Sequence, residues 1–109
     1  MATGDSKRAI NEALTLFHRR WVLRILWELR DGALNFRALQ EAAGGLSASV
    51  LNRRLQELRE ALLLTHDAGA GYQLTPLGRD LLAAFDPLLR WSVRWMKAVD
   101  ASVERKARG

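Results

Sequence analysis

Two adjacent glycines, Gly44 and Gly45, stand between two short helical patterns, and this break constrains the fold more than any other feature. Upstream, Phe36, Leu39 and Ala43 recur at helical spacing behind Asn35, whose side chain suits an N-cap. Downstream, Ser47 suits the next cap, and Leu51, Leu55, Leu58 and Leu62 share one face of a helix over 47–61. Helices over 35–43 and 47–61 joined by such a turn predict a helix-turn-helix. At about 100° per residue the opposite face of the second helix holds Ser49, Asn52, Arg53 and Gln56.

The flanking segments extend this plan. Residues 5–17 predict a helix capped by Asp5 or Ser6, with Ile10, Ala13, Leu14 and Phe17 on its apolar side. Residues 19–31 predict a second, whose broad face of Trp21, Val22, Ile25, Leu26 and Leu29 should lie centrally before Gly32 ends it. Beyond the helix-turn-helix, 62–65 and 72–75 read as short strands around the turn residues 66–71. Thr75 and Pro76 then open a helix carrying Leu77, Leu81, Leu82 and Phe85. Asp86 and Pro87 predict an interruption, with a last helix over 87–103 and a frayed tail from Glu104. That helix sets Leu88, Trp91, Trp95 and Val99 in one stripe, flanked by Leu89, Met96 and Val103, a face that needs something to pack on. A chain of 109 residues makes one domain, and 20 leucines favour helices.

Composition narrows the function. With no cysteine, the sequence holds no disulfide framework, no Cys-based zinc site and no thiol switch. Only His18 and His66 are available as histidine ligands and no ligand spacing joins them, so neither metal nor cofactor is expected. No Ser-His-acid set and no phosphate loop appears, which argues against an enzyme. No apolar run is long enough to span a membrane, and residues 1–8 lack a signal-peptide core, so a cytoplasmic protein is expected. The net charge of +5, from 17 basic against 12 acidic residues, suits an acidic partner, above all nucleic acid. Only Lys7, Lys97 and Lys106 are lysine, and the arginine fork suits phosphates and guanine edges.

One ordered set of residues carries a resemblance. Trp21, Ile25, Leu26, Leu29, Gly32, Phe36 and Leu39 come first, then Leu46, Ser47, Leu51, Arg54, Leu55 and Leu58. Tyr72, Leu74, Thr75, Gly78 and Leu81 follow, and then Trp91. In order and spacing, over roughly 14–95, this resembles the HxlR-type winged-helix transcriptional regulators. The resemblance implies a mainly α fold with a small β-hairpin, a single winged helix-turn-helix domain over 1–109. The motif would occupy 35–61, the wing 62–75 and the C-terminal dimerisation helices 76–103, joined by the N-terminal helix. It also implies a homodimer that binds double-stranded DNA at a palindromic operator, with a repressor role expected.

In that setting Ser49, Asn52, Arg53 and Gln56 are the expected base readers, Arg53 for guanine and Asn52 or Gln56 for adenine. Arg19, Arg20, Arg37, Ser47 and Arg54 are the expected phosphate contacts; for Arg54 a surface ion pair with Glu57 or Glu60 is an equal reading. Leu14, Phe17, Leu88, Trp91, Trp95 and Val99 are expected at the dimer interface, or around a planar aromatic effector between tryptophans. The sequence departs from the family pattern at Asn35, where Arg is common, at Glu60 and Ala61, and in a short wing without Lys or Arg. The non-basic wing favours a rival reading, a winged helix used for protein interaction, which steep salt dependence of DNA affinity would exclude.

Overall fold

A computed structural model describes residues 3–109. Five helices and one hairpin follow in the order α1 (Thr3–His18), α2 (Val22–Glu28), α3 (Phe36–Ala42), α4 (Ala48–Glu60), β1 (Leu64–Asp67), β2 (Gly71–Leu74) and α5 (Pro76–Arg108). The helix starts are set locally. Asn35 Oδ1 accepts from Ala38 N at 2.8 Å, and Ser47 Oγ accepts from Val50 N at 3.3 Å. Each satisfies an amide that the first helical turn leaves open. The turn between α3 and α4 needs positive φ at Gly44 (89°) and Gly45 (78°), which glycine adopts without penalty.

The core lies where α2, α3, α4 and the hairpin meet. Val22, Ile25 and Leu29 are fully buried, as the breadth of that face predicted, and Leu39, Leu51 and Leu58 close over them. The second helix is shorter than 19–31, because Trp21 adopts a left-handed backbone (φ 81°) and α2 starts only after it. Leu62 is not on the buried face: α4 has ended, its φ is 66°, and the side chain is 69% exposed. Leu63 fills the core in its place.

The hairpin is antiparallel, from Leu64 opposite Leu74 to Asp67 opposite Gly71. Asp67 Oδ1 closes its turn by accepting from Gly69 N (2.7 Å) and Ala70 N (3.4 Å). Leu34 adds an isolated antiparallel bridge to β2, exchanging backbone bonds with Tyr72 at 3.0 and 2.8 Å.

The interruption expected at Asp86 and Pro87 does not occur, nor does fraying from Glu104: α5 is one helix of 33 residues. Proline inside a helix removes the bond to the carbonyl four residues earlier, here that of Ala83. Ala83 is exposed, so water can satisfy that carbonyl. The leucines, arginines and alanines around Pro87 favour helix on both sides. At 1.5 Å per residue α5 is about 50 Å long, longer than the core is wide. The radius of gyration, 16.9 Å, exceeds the roughly 13 Å of a compact domain of this length because the distal half of α5 projects as an arm.

Thr75 ties that arm to the hairpin. Its hydroxyl accepts from Gly78 N (3.0 Å) and donates to Leu62 O (2.7 Å). Thr75→Ala is expected to cost about 1–2 kcal/mol in urea unfolding, with Thr75→Ser close to wild type. Equal midpoints for Ala and wild type would contradict this double role.

Candidate nucleic-acid interface

Burying Leu51, Leu55 and Leu58 forces the opposite face of α4 outward. Ser49, Asn52, Arg53 and Gln56 are all exposed there. Among the described residues Ser49, Asn52 and Arg53 have no intramolecular partner, so their polar atoms are free for a ligand. Gln56 is held: its Nε2 donates to Glu60 Oε1 at 3.2 Å. Glu60 thus belongs to the same face, which sequence reasoning did not assign, although its place four residues after Gln56 carried the signal.

The expected phosphate contacts differ in their freedom. Arg37 is 87% exposed and only loosely paired with Glu41 at 3.6 Å, an ion pair worth little in water. Arg20 is exposed, with its guanidinium 5.1 Å from the Trp21 ring centroid. Arg19 is 45% exposed and lies 3.5 Å from Glu57. Ser47 is exposed at the N-terminus of α4, where helix amides also point outward.

Arg54 does not lie open for a phosphate. Its Nε donates to Arg20 O at 2.8 Å, and its Nη1 to both oxygens of Glu57 at 2.9 and 3.0 Å. The side chain is only 16% exposed. The Glu57 carboxylate therefore draws Arg54 and Arg19 together and straps the turn before α2 onto α4. Arg54→Met leaves the Arg20 carbonyl and Glu57 without these donors. It is expected to cost about 1.5–3 kcal/mol of stability, read from urea midpoints. A loss below about 0.5 kcal/mol would show an ordinary surface pair.

The wing presents a different chemistry. His66 and Tyr72 stack across the hairpin at 4.3 Å and 24°. The Asp67 carboxylate is turned into its own tip, and no cationic Lys or Arg occurs from Leu62 to Thr75.

The expected interface residues fall in two places. Leu14 is 56% exposed on α1, beside Ile10 at 53%. Phe17 lines an apolar groove of about 590 Å3 with Leu16, Leu77 and Leu81. Leu88, Trp91 and Trp95 are half exposed on the α5 arm, and Val99 partly so. Trp91 begins about 15 Å beyond Leu81 along the helix, so the two patches do not form one pocket within the chain. The Trp91 and Trp95 rings lie 5.7 Å apart and nearly parallel, at 8°. Met96 (45%) and Val103 (60%) extend the exposed surface.

Among the described residues no group of three or more His, Cys, Asp or Glu could hold a metal ion. No described helix is long and apolar enough to cross a membrane.

Known proteins share this arrangement. The family model for the HxlR-like helix-turn-helix matches residues 16–100. The HTH-type transcriptional regulator YvaP of Bacillus subtilis is 28% identical over 91 residues, covering 78% of this chain and 84% of that protein. The quinone-bound crystal structure of YodB from Bacillus subtilis superposes with a TM-score of 0.73 at 28% identity, covering 80% of this chain and 98% of that one. A transcriptional regulator of the MarR family from Enterococcus faecalis gives 0.74 at 28% identity, covering 90% and 94%. The α3–α4 pair, the hairpin after it and the match over residues 16–100 lead to one conclusion: this chain belongs to the HxlR-like helix-turn-helix family of DNA-binding transcriptional regulators and is not an enzyme.

Proposed function

We propose that the chain acts as a homodimer that reads a palindromic operator in double-stranded DNA and represses transcription. The observation that carries this is the outward face of α4, where Ser49, Asn52 and Arg53 are exposed and unpartnered while the other face is locked in the core. In the major groove Arg53 would fork onto a guanine and Asn52 or Gln56 onto an adenine, with Ser49 beside them. Arg19, Arg20, Arg37 and Ser47 would hold phosphates and set the register. Arg54 would act indirectly, by keeping Arg19 and Arg20 beside α4. The wing, without cations, would add little charge-based affinity.

Dimerisation is favoured by the α5 arm. Leu88, Trp91, Trp95 and Val99 form an apolar stripe on a projecting helix that its own core does not cover, and a second copy offers the same stripe. Two α4 helices would then enter the groove about 34 Å apart. A monomer in light scattering at micromolar concentration would overturn this part.

Selection of bound duplexes from a random pool at near-physiological salt tests the whole reading. The expected result is an enriched palindrome with half-site centres about one helical turn apart. With three arginines on phosphates in each protomer, log affinity should fall against log salt with a slope of about −5. Unenriched binding would reduce the protein to a basic, non-specific one.

A second reading concerns the same arm. The exposed, parallel Trp91 and Trp95 rings suit a planar aromatic effector near the dimer axis, and YodB is a relative solved with a quinone. No tryptophan quenching by any of a panel of planar dyes would end it.

A further inference from the structure

Two open lobes flank Trp27 where α5 passes α2. One, of about 450 Å3, is lined by Trp27, Arg30, Arg79, Leu82, Asp86 and Leu89, with Ala83 beside them. The other, of about 480 Å3, is lined by Leu23, Arg24, Trp27, Phe85 and Leu89. They share Trp27 and Leu89 and make one groove between the DNA-reading body and the arm. Each lobe lies within the size range of small-molecule sites, about 300–1,000 Å3. Its floor is aliphatic and aromatic.

The rim is cationic. The Arg30 guanidinium lies 3.6 Å from the Trp27 ring centroid, and its Nη1 donates to Trp27 O at 3.1 Å. Its pairing with the exposed Asp31 is loose, at 3.7 Å. Arg24 is occupied by Glu28 at 2.6 Å and by Ala42 O at 3.2 Å. Asp86, the acid on the rim, is neutralised by Arg90 at 3.2 Å. Arg79 is exposed and has no partner among the described residues. The uncompensated charge at the groove is therefore positive and sits on a guanidinium.

The groove also lies apart from the tryptophan stripe. At about 100° per residue, Leu82, Asp86 and Leu89 sit roughly 150° around α5 from Leu88, Trp91 and Trp95. A second copy centred on Trp91 and Trp95 therefore meets the side of α5 away from Leu82 and Asp86, with Leu89 between the two surfaces.

We infer that this groove binds a planar aromatic carboxylate, its ring between Trp27, Leu82 and Leu89 and its carboxylate on Arg79, with Arg30 as the nearby second cation. An aromatic ring matches a lining of Trp27, Leu82 and Leu89 in which the Arg30 guanidinium stacks on the indole, and a guanidinium fork matches a carboxylate. A cationic ligand would meet Arg79 and Arg30 as like charges. Resting on the dimer reading, the position also supplies a means of control. Helix beyond Leu89 extends about 28 Å, so a tilt of about 10° at the groove displaces its end by about 5 Å. With the arms paired across the dimer axis, such a tilt changes the separation of the two α4 helices, which must match one DNA turn.

Calorimetric titration of the full chain with 1-naphthoate, without DNA, tests the site. The expected result is saturable binding, one molecule per chain. Arg79→Met should weaken it at least about ten-fold, and 1-naphthamide should bind wild type as weakly. Because Arg79 is exposed and unpartnered, the variant should keep the wild-type melting temperature, which separates lost binding from lost folding. Absence of saturable heat overturns the inference, and so does binding that survives Arg79→Met at full strength. Operator affinity with and without saturating naphthoate then tests control separately. An unchanged affinity overturns the regulatory role, and failure to bind DNA at all counts against the operator reading while leaving the calorimetric result intact.

Discussion

Gly78→Ala is expected to destabilise the protein by about 3 kcal/mol or more, although alanine favours a helix over glycine by about 1 kcal/mol. Gly78 is buried in the first turn of α5, directly against the chain entering β1. A Cβ there would lie 2.3 Å from Leu63 O and 3.2 Å from Leu63 C, with Leu74 Cδ2 at 3.4 Å. The obstacle is backbone, and it cannot swing aside. Leu63 is further tied by its own carbonyl, which accepts from Thr75 N at 3.0 Å. Relief requires α5 to lift off the hairpin, which loosens the joint between body and arm.

Gly71→Ala should behave similarly for two reasons. Its φ is 98°, and a Cβ would come within 2.5 Å of Leu34 O, splitting the bridge between Leu34 and Tyr72. Gly4→Ala, where nothing lies within 4 Å, should be neutral or slightly stabilising. For a domain of this size 3 kcal/mol lowers the melting temperature by roughly 12 °C or more. A Gly78→Ala protein melting within about 3 °C of wild type would show that α5 does not pack on β1 as described.

Arg53→Ala is expected to have the largest effect on function. An arginine forked onto a guanine contributes about 1–3 kcal/mol of discrimination. In a homodimer the change is made twice, on helices about 34 Å apart, so the two losses should nearly add. The operator complex should weaken by about 2–6 kcal/mol, or roughly 30-fold to more than 10,000-fold in affinity. Affinity for random duplexes should fall little. Because Arg53 is exposed and unpartnered, the free protein should melt at the wild-type temperature. Arg37→Ala is the informative contrast: it should weaken all duplexes alike and flatten the salt slope. If Arg53→Ala also weakens operator and random DNA equally, Arg53 contacts phosphate and the base-reading assignment is lost.

What the amino-acid sequence determined by itself was whatever is decided within a few residues. Asn35, Ser47 and Thr75 each cap an amide three residues ahead, so the starts of α3, α4 and α5 were legible from residue types alone. Periodicity likewise revealed the buried leucines of α4 and, by opposition, its free polar face. The tertiary structure decided matters that depend on competition between distant groups. The Arg54 pair with Glu57 was one of two readings its neighbours left open, whereas its bond to a carbonyl 34 residues away was not written in them. Leu62 looked like the next turn of a core stripe until the helix ended at Glu60 and Leu63 filled the space. Pro87 looked like a stop, yet Ala83, whose carbonyl it orphans, is an exposed residue and the helix continues. Gly71 stood among turn residues and Gly78 within a motif, and only the approach of the Leu34 and Leu63 backbones shows why each must be glycine. The groove at Trp27 is of the same kind, because α2 and α5 are brought together only by the completed core. Local hydrogen bonds and helical period are short-range and were readable in the chain, whereas packing and charge pairing compare partners that only the folded backbone brings within reach.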